Sequence, residues 1–187
     1  MIGQKIILSH DELSSCFDAA KVQRGHCVGR NAKNYKRNQR SDTVTMALGV
    51  EGHRVFQKLF PRAVEHKDEL SKGTDGGVDF WLDGHSVDVK TLNWYPNNVQ
   101  LLATKQNLQP GKAKLFAGIN RLTGIGVNTN EIPNSHTYEF IGFFLTDKVG
   151  SQYINPRFGT YWIPSKELKE FEELMVLASK SESRARL

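Results

Sequence analysis

Apolar and polar positions follow two rhythms along this chain. Near the N-terminus the period is helical. Ser9-His10-Asp11-Glu12 has the form of a capping box, with Ser9 at the N-cap and Glu12 at N3. Leu13, Cys16, Phe17 and Ala20 follow at helical spacing, which predicts a first helix to about Val22. A second helix is expected from a cap at Ser41 or Asp42 to about Phe60, where Pro61 stops it. Its apolar stripe is Val44, Leu48, Val55 and Leu59.

Further on the period drops to two. Val78 to Leu82 and His85 to Leu92 alternate around Asp83-Gly84, the strongest short hairpin signal. Val99 to Ala103, Lys114 to Ile119 and Thr137 to Thr146 read as further strands, and Tyr161 to Pro164 as a short edge strand. Asn97 to Leu108 suits strand and helix equally. The Gly- and Asn-rich connection Thr123 to Ser135 is long for a compact domain and suits a substrate-facing loop. Ser165 is expected to cap a last helix carrying Leu168, Phe171, Met175 and Ala178 on one face. The 187 residues fit one domain of the α/β (α+β) class. Residues 1–40 form a helical, basic extension, 41–180 the core and 181–187 a frayed tail.

The two-residue turn fixes a register. Leu82 pairs with His85, Trp81 with Ser86, Phe80 with Val87, Asp79 with Asp88 and Val78 with Val89. One face then carries Val78, Phe80, Leu82, Val87 and Val89 for the core. The other carries Asp79, Trp81, Ser86, Asp88 and Lys90. Two aspartates set across from one another repel and destabilise the sheet. A divalent cation between them relieves that repulsion, and Mg²⁺ takes such oxygen ligands. Lys90, two residues past Asp88 on the same face, is placed to position a water or stabilise negative charge on phosphorus. The same pattern also suits a solvated polar face on which Lys90 pairs with one aspartate.

Glu51 falls on the stripe of the second helix, between Leu48 and Val55. A carboxylate facing a core is costly unless it is paired or binds a metal. A Glu at the stripe's edge, reaching solvent or Arg54, satisfies the same pattern.

Composition narrows the class. With 39% hydrophobic and 24% charged residues the chain is globular. It has no apolar run near the roughly 20 residues a membrane span needs, and no signal-peptide pattern at its start, so a cytoplasmic location is expected. Cys16 and Cys27 make no disulfide framework, and with His10 and His26 they match no zinc spacing. The net charge of +5 is concentrated. Residues 21–40 hold Lys21, Arg24, Arg30, Lys33, Lys36, Arg37 and Arg40 and no acid, and the rest of the chain has 18 basic against 20 acidic residues. Such a segment attracts polyanions, DNA foremost, or lies solvated beside acids from elsewhere in the fold.

Glu51 on a helix, Asp79 opening one strand and Asp88-Val89-Lys90 on the next together resemble the PD-(D/E)xK nuclease superfamily, the restriction-endonuclease-like fold. The match runs from about Leu48 to Thr91. The resemblance implies a helix, a three-stranded antiparallel meander, a second helix and a further strand, in a mixed central sheet flanked by helices. It implies a Mg²⁺ ion (or Mn²⁺) held by Asp79, Asp88, the Val89 carbonyl and Glu51, with Lys90 orienting the attacking water. It implies DNA as substrate, with Lys33, Lys36, Arg37 and Arg40 gripping phosphates, and a homodimer where both strands are cut. A non-catalytic DNA-binding or assembly module is the other expectation. Val78 stands where the family often has proline, and the second core helix is hard to place after Thr91. Gln100 or Gln106 is a weak candidate for a glutamine near the metal. Asp75 competes with Asp79 for the first acidic position but is out of register with Asp88.

Overall fold

The computed structural model describes residues 1–28, 39–66, 77–93, 100–109, 111–124, 132–157 and 159–176. In chain order the elements are β1 (Lys5–Ser9), α1 (His10–Val28), α2 (Gln39–Leu59), β2 (Val64–Glu65), β3 (Phe80–Leu82), β4 (His85–Leu92) and β5 (Gln100–Ala103). β6 (Leu115–Arg121), β7 (Ser135–Leu145), β8 (Ile154–Asn155) and β9 (Thr160–Pro164) follow. Six strands form one sheet in the order β1-β7-β6-β4-β3-β2, and β5-β9-β8 form a second. Within the large sheet β4 and β6 are parallel and every other pairing is antiparallel. The fold is therefore mixed α/β with a mixed sheet, and β2, β3 and β4 form an antiparallel meander.

The hairpin keeps the expected register over three pairs only. Asp79 and Val78, expected opposite Asp88 and Val89, lie outside the ladder because the Asp79 N–H shares the level of Val87 and its carboxylate takes the Val89 N–H. Leu82 pairs with His85, Trp81 with Ser86 and Phe80 with Val87. Asp83 and Gly84 both take positive φ, 48° and 81°, as the tight two-residue reversal requires. Arg62 meets the Asp83 carboxylate at 2.8 Å.

Both faces of the large sheet are covered. On one, α1, α2 and a helical segment over 171–176 bury Leu13, Val55, Phe56, Leu59, Phe171 and Leu174 against Phe80, Val87, Val89, Leu115 and Phe143. Phe56 stacks at 4.8–6.2 Å from Phe60, Phe80 and Phe143, so truncating it to Ala would cost about 3–5 kcal/mol. On the other face the small sheet lays Leu101, Ala103 and Ile163 over Leu92, Phe116, Ile141 and Phe144. β4 is thus an inner strand buried on both sides, which explains a run of four buried residues, Ser86 to Val89.

Several boundaries differ from the expected ones. α1 runs past Val22 to Val28 and α2 begins at Gln39, so Ser41 and Asp42 lie inside its first turn rather than capping it. The Ser9–Glu12 box is present: Glu12 N–H donates to Ser9 Oγ (3.4 Å) and Ser9 N–H to Glu12 Oε2 (3.0 Å). Asn97 to Leu108 supplies both a strand, β5, and a 3₁₀ turn, Lys105–Leu108, in its described part. Among the described residues no second core helix stands between β4 and β6. Ser165 opens a short 3₁₀ turn, not the last helix. The main chain of Lys169 exchanges two hydrogen bonds with Phe143, 2.8 and 2.9 Å, and this strand-like pairing delays the helix to residue 171. Asp75 and Ala178 lie outside the described residues.

Candidate active site

Asp79, Asp88 and Lys90 are brought together by the hairpin. Asp88 and Lys90 share one face of β4, and Lys90 Nζ lies 2.7 Å from Asp88 Oδ2 and over the Phe116 ring. Asn107, from the 3₁₀ turn after β5, donates to the same oxygen at 3.3 Å. Asp79 falls one residue short of the β3 ladder. Its N–H donates to the Val87 carbonyl (2.8 Å), and its Oδ2 accepts the Val89 N–H at 2.7 Å. The carboxylate thus stands where the strand would have continued. Paired antiparallel residues exchange N–H and C=O bonds on one edge, so the Val89 carbonyl opens to the edge its N–H faces.

Each aspartate is met by a protein cation, Asp79 by His53 and Asp88 by Lys90. His53 of α2 places Nε2 3.2 Å from Asp79 Oδ2 and turns its ring edge-on to Phe80. Burial would lower the imidazole pKa. The hydrogen bond and charge of Asp79, with Glu65 and Asp88, raise it instead. Burial works to raise the Asp79 carboxyl. The hydrogen bond and charge of His53, the Val89 N–H and the Lys90 charge outweigh it and hold the carboxyl below its ordinary value. The aspartates are sealed, at 9% and 6% side-chain exposure, while His53 and Lys90 are half-buried at 30% and 21%.

Glu51 has different company. It is buried as its place on the stripe implies, but neither solvent nor Arg54 is its outlet. Its Oε2 accepts from the Tyr138 hydroxyl at 2.7 Å and from Arg121 at 3.5 Å. Burial raises its pKa against both partners. Among the described residues its hydrogen bonds go to neither aspartate and not to Lys90. Residues 51 and 53 point about 200° apart on a helix, so the turn that brings His53 to Asp79 aims Glu51 toward β6 and β7.

Lys33, Lys36 and Arg37 lie outside the described residues, and Arg40 sits in the first turn of α2. Gln106 is exposed, and Gln100 is half-buried with Oε1 unpartnered. The residue that reaches Asp88 is Asn107, one beyond Gln106 and missed because the 3₁₀ turn was not foreseen. His53 was missed because it lies off the apolar stripe. Its position two residues after Glu51 was the available signal.

Among the described residues no three His, Cys, Asp or Glu side chains gather as a metal cluster. The donor set at the hairpin is two carboxylates and a main-chain carbonyl. That set fits Mg²⁺, which is bound through one or two carboxylates and completed by water and phosphate. No described helix is long and apolar enough to cross a membrane. The chain matches no family model, no curated protein and no solved structure.

Proposed function

We propose that this chain is a Mg²⁺-dependent nuclease that hydrolyses DNA phosphodiester bonds in a restriction-endonuclease-like core within the cytoplasm. The observation that carries the reading is that Asp79 Oδ2 takes the N–H of Val89, the middle residue of Asp88-Val89-Lys90, at 2.7 Å, with Lys90 2.7 Å from Asp88. Part of the element order supports it: a helix, an antiparallel meander and a strand parallel to β4, although the expected second helix between them is not among the described elements. Asp79, Asp88 and the Val89 carbonyl would hold the ion. When bound, it supplies positive charge to a phosphate oxygen and acidity to water. Lys90 orients the attacking water and stabilises the charge that builds on phosphorus. His53 keeps Asp79 ionised and aimed. Glu51, held by Arg121 and Tyr138, supports α2 from behind. Lys33, Lys36, Arg37 and Arg40 grip backbone phosphates without reading sequence, and a homodimer is the arrangement that cuts both strands of a duplex.

A second reading has its own support. His53 and Lys90 already neutralise both aspartates, as a structural ion cluster in a non-catalytic DNA-binding or assembly module would. Cleavage of linear, circular, single-stranded and branched DNA with Mg²⁺, using Lys90→Ala as control, separates the two. The nuclease reading expects Mg²⁺-dependent cutting that Lys90→Ala lacks. Salt-dependent binding without cutting supports the module. Lys36→Ala with Arg37→Ala should weaken binding and flatten the log–log salt slope by about 1.8 on duplex DNA.

A further inference from the structure

The small sheet covers only part of its face of the large one. It lies over Leu92, Phe116, Ile141 and Phe144 of β4, β6 and β7, and β3 and β2 extend beyond it. Trp81 and Val64 are direct cross-strand partners on that uncovered end, and both are exposed, Trp81 at 43% and Val64 at 65%. The indole N–H donates to His66 Nδ1 at 3.4 Å, with the two rings edge to face. The polar edge of the tryptophan is therefore engaged and its apolar surface is presented to solvent. Strand alternation puts Trp81 on the face of Asp88 and Lys90, one repeat along β3 from Asp79.

Glu65 follows Val64 on β2, and two lysines stand on the segments around the hairpin's acids. Lys105 opens the 3₁₀ turn whose Asn107 touches Asp88. The Lys112 stem passes over Gly77, two residues before Asp79: a Cβ there would lie 3.1 Å from its Cδ and 3.8 Å from its Nζ. Neither lysine makes an ion pair among the described residues. Two apolar side chains are far too few for a protein interface, which buries roughly 800 Å² per partner. An exposed ring, with lysines on neighbouring segments that make no ion pair among the described residues, instead matches how single strands are held, by base stacking and backbone attraction.

We propose that Trp81, flanked by Val64 and held at its edge by His66, is a stacking platform for an unpaired base of single-stranded DNA. Lys105 and Lys112 draw the backbone on which that base is carried. The assignment rests on the nuclease reading, since it places the stacked base in the strand whose phosphate lies at Asp88. It names the substrate class as single-stranded, frayed or flapped DNA rather than closed duplex.

The test is anisotropy of labelled oligothymidylate, oligouridylate and a blunt duplex of equal length, in EDTA so that nothing is cut. Trp81→Ala should loosen oligothymidylate by about tenfold and leave the duplex unchanged, and Trp81→Phe should restore most of the loss. Lys105→Ala with Lys112→Ala should lower the single-strand salt slope by about 1.4. No loss in Trp81→Ala, an equal loss on duplex, or tighter Trp81-dependent binding of oligouridylate overturns the proposal. Mg²⁺-dependent cutting by Asp88→Asn, measured separately, tells the two readings apart. If that variant still cuts, the active-site assignment falls while the Trp81 dependence is judged on its own. If it is dead and Trp81→Ala binds normally, only the platform falls.

Discussion

Glu51 and Asp88 are buried to nearly the same degree, 7% and 5% exposed, yet they keep opposite company. Glu51 is closed in by Arg121 and Tyr138, which are as sealed as the acid itself. Asp88 and its neighbour Asp79 face Lys90 and His53, whose side chains reach solvent. The difference shows what burial alone does not reveal. A sealed acid with sealed partners holds elements together. A sealed acid whose counter-charges are accessible leaves room for a charged ligand to join or displace them.

The sharpest way to break this comparison is at the open cluster. Lys90→Ala and Asp88→Asn should each reduce cleavage by about 10²–10⁴-fold while DNA binding stays measurable. Wild-type rates in either variant would remove the site from the chemistry. At the closed cluster the effect should appear in stability instead. Glu51→Ala leaves the Arg121 guanidinium buried without its carboxylate and should cost about 3 kcal/mol in urea denaturation. Glu51→Gln, which keeps a hydrogen-bond acceptor for Tyr138, should cost less. Calorimetric Mg²⁺ uptake should be unchanged in the Gln variant, and its loss would return Glu51 to the metal shell.

A smaller effect is expected at Gly52, which packs α2 onto β4. A Cβ there would lie 1.8 Å from Thr91 Oγ1, so Gly52→Ala must push the helix outward, at about 1–3 kcal/mol in a thermal melt. An effect of similar size, confined to acid pH, concerns His136. His136, beside the closed cluster, is held at about 4 against an ordinary 6.5, by burial first and by the Arg121 charge second. The folded value lies below the unfolded one, so the unfolded chain takes up the proton first. This contribution is whole above pH 6.5, falls as pH drops toward 4 and levels off below. It amounts to about 1–3 kcal/mol. His136→Gln should flatten that part of the stability–pH curve.

What could be read from the sequence follows how far apart the interacting residues lie. The hairpin register was legible because Asp83-Gly84 permits one pairing, and Leu82↔His85 through Phe80↔Val87 obey it. The helical period put Glu51 on the apolar stripe but left open whether it was buried or reached solvent. Its partners were not legible, because Arg121 and Tyr138 lie 70 and 87 positions away. β1 was not foreseen, since its partner strand β7 comes from far along the chain. The last helix was misplaced because the pairing of Lys169 with Phe143 competes with its first turn. The restriction-endonuclease-like proposal rests on the hairpin, its acids and part of the element order. The basic residues expected to hold DNA fall largely outside the described segments.

The short Asp83-Gly84 reversal also bears on how the chain assembles. A hairpin closes in about 1–10 μs, so its two aspartates can meet while the rest is still searching. The Glu51 contacts close much longer loops and must wait for β6 and β7. During that interval Asp79 lacks the His53 that α2 later delivers. The early hairpin is therefore the species whose lifetime should respond most to dissolved salt, and refolding rates measured across ionic strength would reveal it.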